Sequence, residues 1–412
     1  MRLATLDLLR CPFCGSRLSL VEGSTRMHGE EIVGGVLGCQ CCAYPIIDGI
    51  PVLIADDTAR KAMHQHEAGD SEAALLTMLD VEGERADAFR EFLRRGEGMT
   101  YRDGLAILSV DAEGQYFIYR FSDPTFLVAQ ALLQALGGDS RLTRRTIDLC
   151  GGSGHLTRVL TALSPPGQAC LADVYFWKVW LAKRFTAPDC EPVCCDANNP
   201  MPFASGVFSM VVLSDAFPYI WQKRMLSSEM MRIADPDGAI VMPHLHSALG
   251  ENFTAGMTLT PAGYRDLFEP WSPRLFRDSA MLDDLLERRV VDLSKDAPAE
   301  SLAGEAALAL VASRHDEIFR RYTAADAARS TASELIINPL YRVDARDGRV
   351  VLTLTFPTAE YEEEFRAARR YLPDTVTVAA DVTRRLSPQD FGADYEDLKR
   401  RLVLLDAPKG YV

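Results

Sequence analysis

From residue 145 onward, short apolar runs alternate with amphipathic stretches: TIDLC at 146–150, QACLAD at 168–173, PVCCD at 192–196, FSMVVLS at 208–214 and GAIVM at 238–242. Runs this short, bounded by turn residues, predict buried strands, and the segments between them, beginning with HLTRVLTAL at 155–163, predict helices. Strand–helix alternation implies a doubly wound α/β layer, a parallel sheet with helices on both faces and ligands at the carboxyl ends of the strands. RVVDL at 289–293 and AALALVA at 306–312 are expected to close that sheet as an antiparallel pair.

The flanks follow other patterns. In YPIIDGIPVLI at 44–54, Asp48-Gly49 between two β-branched runs predicts a tight turn joining short strands. Residues 57–100 are polar and helix-forming, and His64 and His66, two apart, fall on different helical faces as expected solvated side chains. An apolar helix to about residue 136 follows, with Asp123 as N-cap and Pro124 in its first turn. Toward the C-terminus, runs at 334–343 and 349–356 flank Asp347-Gly348 as a hairpin, 361–371 reads as a charged helix and 375–379 as a strand. Four segments result: a cysteine-bearing unit at 1–56, a helical connector and lid at 57–140, the α/β domain at 141–313, and a small α+β appendage at 314–412, a candidate surface for a homodimer.

Composition narrows the class. With 412 residues, 48 % hydrophobic and 25 % charged, the chain is expected to be globular and multidomain. No apolar run approaches the ~18–20 residues of a membrane span, and MRLATLDLLRCPFCG lacks a secretory h-region, so a soluble cytoplasmic location is expected. A formal charge of −14 argues against nucleic acid as partner, since such binding draws on a Lys/Arg surface.

Five of the ten cysteines fall in the first segment. Cys11 and Cys14, then Cys39 and Cys42, form two C-x2-C pairs separated by 24 residues, with Gly15 free to take the positive φ of such a knuckle. Four thiolates suit tetrahedral Zn(II) and leave no open position, so the site is expected to be structural. Cys41 is an alternative ligand. Together with the YPIIDGIPVLI tail, these knuckles resemble the small zinc-ribbon activator subunits of tRNA and protein methyltransferases. The resemblance spans about residues 3–56 and implies a zinc-ribbon fold with an affinity for methyltransferase domains.

The glycine loop at 151–154 lacks the third glycine of a dinucleotide fingerprint, since Thr157 stands there. Asp148-Leu-Cys150-Gly-Gly152-Ser-Gly154 instead resembles the D-x-G-x-G-x-G motif of class I S-adenosylmethionine-dependent methyltransferases, with Cys150 replacing the first glycine. The resemblance spans about 145–313 and implies a Rossmann-like methyltransferase domain. In it Gly152 and Gly154 let the methionine part of S-adenosylmethionine lie against the backbone. Asp173 would accept from the ribose hydroxyls and Asp196, with Ala197 beside it, from the adenine amino group. Ser214 and Asp215 would face the transferred methyl.

Methyl transfer needs alignment and, for an oxygen or nitrogen acceptor, a base. His244 and His246, on one face of an extended segment, and Asp215 are the candidates, the alternative for the two histidines being to hold a metal together. The expected reaction is methylation of a small-molecule biosynthetic intermediate at O, N or C. An RNA base methyltransferase and a non-catalytic zinc-ribbon scaffold with a vestigial cofactor site are the alternatives.

Overall fold

The computed structural model describes residues 1–108, 112–323, 334–346, 349–383 and 393–412. The N-terminal unit is a five-stranded antiparallel sheet of β1 (Ser19–Leu20), β2 (Arg26–His28), β3 (Glu31–Gly38), β4 (Ala43–Ile47) and β5 (Ile50–Pro51). Asp48 (φ 48°) and Gly49 (φ 74°) are both left-handed, the backbone that a two-residue hairpin of matching twist requires. This hairpin turn is tied to the α/β domain: Trp180 Nε1 donates to Asp48 Oδ2 at 2.8 Å, and Lys183 Nζ to the Asp48 carbonyl at 3.0 Å.

Among the described residues between 57 and 136 the chain runs through six α-helices, Asp57–Glu67, Ser71–Leu79, Gly83–Arg94, Tyr101–Leu108, Ala112–Tyr119 and Pro124–Leu136. Aspartate side chains cap three of them: Asp56 accepts from Ala59 N, Asp70 from Ala73 N and Asp123 from Phe126 N. The expected connector is in fact packed, with the ring centroids of Phe89 and Phe92 lying 5.3 and 6.4 Å from that of Trp180. His64 is exposed as expected, but His66 is not solvated. Its ring is buried against Gly34, where a Cβ would lie 2.6 Å away, and its Nε2 bonds the Ser24 carbonyl at 3.1 Å. The helix docks on the first sheet through this residue, a contact that residue spacing along one helix does not record.

The central sheet has seven strands: β6 (Thr146–Leu149), β7 (Ala169–Asp173), β8 (Glu191–Cys194), β9 (Phe208–Leu213), β10 (Ala234–His246), β11 (Pro273–Arg277) and, beyond β12 (Val290–Asp292), β13 (Ala307–Ser313). Their order is β11-β13-β10-β9-β6-β7-β8. The strands from β8 to β10 are parallel, and β13 is antiparallel to both of its neighbours. The closing pair differs from expectation. β13 takes its place, but its partner is β11, while β12 pairs with β14 (Arg321–Thr323) outside the sheet. The fully buried β13 needs a partner of comparable length, and a three-residue strand behind the left-handed Arg289 (φ 54°) cannot provide it. Pro273 and two arginines mask the apolar pattern of β11, whose Leu275 and Phe276 are buried.

The first sheet joins the free edge of β8. Val52 bridges Cys194 in parallel, Leu53 N donates to the Cys194 carbonyl at 2.8 Å, and Leu9 bridges Phe203. Buried Glu191 accepts from the Thr5 hydroxyl and pairs with Arg2 at 3.1 Å.

In the C-terminal segment β15 (Glu334–Ile337) pairs with the last strand, while β16 (Tyr341–Arg346), β17 (Arg349–Leu354) and β18 (Thr375–Ala379) form a meander; the last strand is β19 (Leu404–Ala407). The expected run at 334–343 splits at buried Asn338, whose side chain bonds Leu402 O and Leu340 N. The Asp347-Gly348 turn lies outside the described residues. The expected helix at 361–371 is the helix Ala359–Glu364 followed by the 3-10 turn Arg366–Arg370. Tyr411 stacks on Tyr101 at 4.9 Å, donates to the Phe117 carbonyl and bonds His155 Nε2, both at 2.7 Å. Among the described residues no helix is long and apolar enough to cross a membrane.

Candidate active site

All five parallel strands end on one edge of the sheet, and the strand order reverses at β6, where an open α/β sheet leaves a crevice. Directly after β6 the chain turns through Cys150 (φ 54°), Gly152 (φ 55°) and Gly154 (φ 83°). Cys150 therefore sits in a left-handed conformation that costs a non-glycine residue roughly 1–2 kcal/mol. The other glycines are spatial requirements. A Cβ at Gly151 would lie 2.6 Å from Asp148 Cγ, at Gly152 3.2 Å from the Phe117 ring, and at Gly154 2.8 Å from Ala182 Cβ.

The neighbouring strand end holds this turn. Buried Asp173 accepts from Gly152 N at 3.0 Å and from Tyr175 N at 2.9 Å. Asp148 accepts from the Thr157 hydroxyl at 2.7 Å; burial first, then the nearby Asp173 charge, push its carboxyl up to about 7 against that bond. Asp196, just past β8, turns the chain by accepting from Asn198 N at 2.8 Å, and Ala197 beside it is buried. Ser214 Oγ, at the end of β9, is buried without a hydrogen-bond partner among the described residues.

A second cluster lies at the ends of β9 and β10. Asp215 (φ 60°) and His244 (φ 56°) are left-handed, and the β10–β13 register shifts between Met242 and Leu245. This irregularity brings the rings of His244 and His246 to 4.8 Å. His246 Nε2 bonds Asp215 Oδ1 at 3.0 Å, His244 Nδ1 bonds Asp278 Oδ2 at 2.9 Å, and the Tyr264 hydroxyl donates to the His246 carbonyl at 2.7 Å. Burial opposes the charge on His244, but Asp278 and Asp215 outweigh it and raise the imidazole to about 9. Burial likewise opposes the Asp215 charge, and the His246 bond with the charges of His244 and Arg120 holds that carboxyl below the usual range.

Three contributors to this cluster were not found in the sequence. Arg120 is buried, paired with Asp123 at 2.8 Å and bonded to the Thr125 and Tyr116 hydroxyls. Its position three residues before the N-cap acid is the one signal it carries. Asp278 follows β11, the strand whose pattern was masked. Glu364 lies within a run of three glutamates without distinguishing spacing, and burial followed by the Asp215 charge raises its carboxyl.

The five cysteines of the first segment converge in the N-terminal unit. The Sγ atoms of Cys11, Cys39, Cys41 and Cys42 lie within 4.8 Å of one another. Cys14 Sγ is 3.8 Å from Cys39 Sγ and bonds the Ser16 hydroxyl at 2.9 Å. All four expected residues thus meet in one corner, with Cys41 as a fifth thiol 3.4 Å from Cys39. Gly15 takes the expected positive φ of 70°.

Residues 147–242 match the methyltransferase-domain family. No curated protein matches the chain. Solved structures similar to it include the YcgJ protein of Bacillus subtilis (13 % identity, TM-score 0.33, covering 45 % of this chain and 98 % of that one). A SAM-dependent methyltransferase of Aquifex aeolicus is also similar (13 %, TM-score 0.32, 48 % and 95 %), as is a TehB-like SAM-dependent methyltransferase of Corynebacterium glutamicum (14 %, TM-score 0.34, 46 % and 88 %). The assignment rests on the family match and the glycine turn. Residues 147–242 are a methyltransferase domain.

Proposed function

We propose that this enzyme methylates an oxygen, nitrogen or carbon atom of a small-molecule biosynthetic intermediate. The observation that supports this most is the setting of Asp215, His244 and His246. Arg120 from the helical segment and Glu364 from the C-terminal segment both interact electrostatically with Asp215. An acceptor enclosed by three segments of one chain is a compact molecule. A folded RNA needs an open basic face, which a surplus of 58 acidic over 44 basic side chains disfavours.

S-adenosylmethionine, when bound, supplies an electrophilic methyl group on a sulfonium that carries its own leaving group. Its fit is supported by the left-handed glycine turn at the carboxyl end of β6 and by the buried Ser214 hydroxyl, which has no hydrogen-bond partner among the described residues. Asp148, Cys150, Gly152 and Gly154 would form the cradle, Asp173 would accept from the ribose hydroxyls, and Asp196 with Ala197 would hold the adenine edge. Asp215 and His246 would receive the acceptor's proton, and His244 would orient the acceptor beside them. At the cysteine corner Cys11, Cys14, Cys39 and Cys42 would hold one structural Zn(II), with Cys41 as the alternative fourth thiolate.

The test is to incubate the enzyme with methyl-labelled S-adenosylmethionine and a cell extract fractionated into small molecules, RNA and protein. Label in the small-molecule fraction is expected. Label confined to RNA or protein overturns the reading.

A further inference from the structure

We propose that Asp215, His244 and His246 form a divalent-metal site at the acceptor position, separate from the cysteine corner and suited to an ion of the zinc, manganese or iron(II) class. Each residue offers one ligand atom, and the three atoms lie within 4.8 Å of one another. Ligands at roughly 2.0–2.2 Å from a bound ion are themselves about 3 Å apart. The Asp215–His246 separation of 3.0 Å is already of that size.

The surroundings are those of a built site. Asp278 accepts from His244 Nδ1 at 2.9 Å, which fixes the ring and leaves Nε2 free, the arrangement in which a carboxylate behind a histidine orients it toward a metal. Two polar atoms of the cluster, His246 Nδ1 and Asp278 Oδ1, are buried without a hydrogen-bond partner among the described residues. With His246 binding through Nε2, neither atom is itself a ligand, and the two mark only the polar character of the surroundings. Asp215 and His244 are both held left-handed, and a register shift in β10 brings the two histidines together. Residues forced into that conformation cluster at ligand sites. The carboxylates of Asp215, Asp278 and Glu364 outnumber the Arg120 guanidinium, itself already paired with Asp123.

Two imidazoles and one carboxylate favour a transition ion or zinc over magnesium, which prefers oxygen, and leave positions open. On the reading that the acceptor lies at this cluster, an ion there would bind its oxygen or nitrogen donor and ease loss of its proton. The three residues would then hold the ion rather than the proton.

The full-length protein, stripped of metal and free of S-adenosylmethionine, is titrated with cobalt(II). Cobalt on thiolates gives an intense near-ultraviolet charge-transfer band, whereas cobalt on nitrogen and oxygen gives only weaker visible bands. The wild type should take up two equivalents, one with the thiolate band and one without. His244→Ala and His246→Ala should lose only the second, and Asp278→Asn should weaken it about 10–100-fold. Thermal melting of each variant reports whether it remains folded. Uptake with thiolate bands alone, or a second equivalent that survives in folded His244→Ala and His246→Ala, overturns the proposal. Calorimetry with S-adenosylhomocysteine on the same samples separates the readings, because cofactor heat without a second cobalt refutes the metal site alone.

Discussion

Asp148 is almost fully buried beside Asp173, and its carboxyl lies near 7 in the folded chain against an ordinary 3.8. The folded state therefore binds more protons than the unfolded one between about pH 4 and 7. Stability from this group is fully present below pH 4 and is lost as the pH rises through 7, a swing of at most about 4 kcal/mol. Asp148→Asn should flatten that slope, so that the variant compares better with wild type in urea unfolding at pH 8 than at pH 5. Asp173 acts differently, because its carboxylate holds the Gly152 and Tyr175 amides. Asp173→Ala removes a charge-assisted acceptor worth roughly 1.5–3 kcal/mol and should weaken S-adenosylhomocysteine binding at least about tenfold by calorimetry. An unchanged dissociation constant would place the ribose contact elsewhere.

Among the elements, the glycine turn and the strand-end acids were legible in advance because each is a backbone requirement expressed in residue type. A glycine at 152 or 154 and an acid at the last position of β7 follow from local geometry. The cluster at the ends of β9 and β10 was only half legible. Asp215, His244 and His246 stand at strand ends, but Arg120, Asp278 and Glu364 come from segments that read as connector or appendage, and tertiary contact alone assembles them. β11 was hidden because the proline and arginines of a half-exposed edge strand break the apolar pattern. At the cysteine knuckles, spacing favours Cys42 over Cys41, and geometry brings both within reach. With cobalt as the probe, Cys42→Ser should weaken the thiolate charge-transfer band, whose intensity scales with the number of bound thiolates, and Cys41→Ser should leave it unchanged. The reverse result would make Cys41 the fourth ligand.

Across the whole molecule, residues far apart in sequence lock the layers together. The Tyr411 hydroxyl ties the C-terminal segment to the Phe117 carbonyl and to His155, the first residue of the helix after the glycine turn. Tyr411→Phe keeps the stack on Tyr101 but strands a buried imidazole nitrogen and a carbonyl, and should cost roughly 1–3 kcal/mol in urea unfolding. The seam between the first sheet and β8 has another consequence. β8 is the outermost strand of the central sheet, and Val52 and Leu53 occupy its outward backbone groups at Cys194. Uncovered, such an edge is a template for pairing with other chains. The N-terminal unit covers that edge at Cys194. Stripping metal from the cysteine corner should register as concentration-dependent turbidity, measured by light scattering, at temperatures where the untreated protein stays clear.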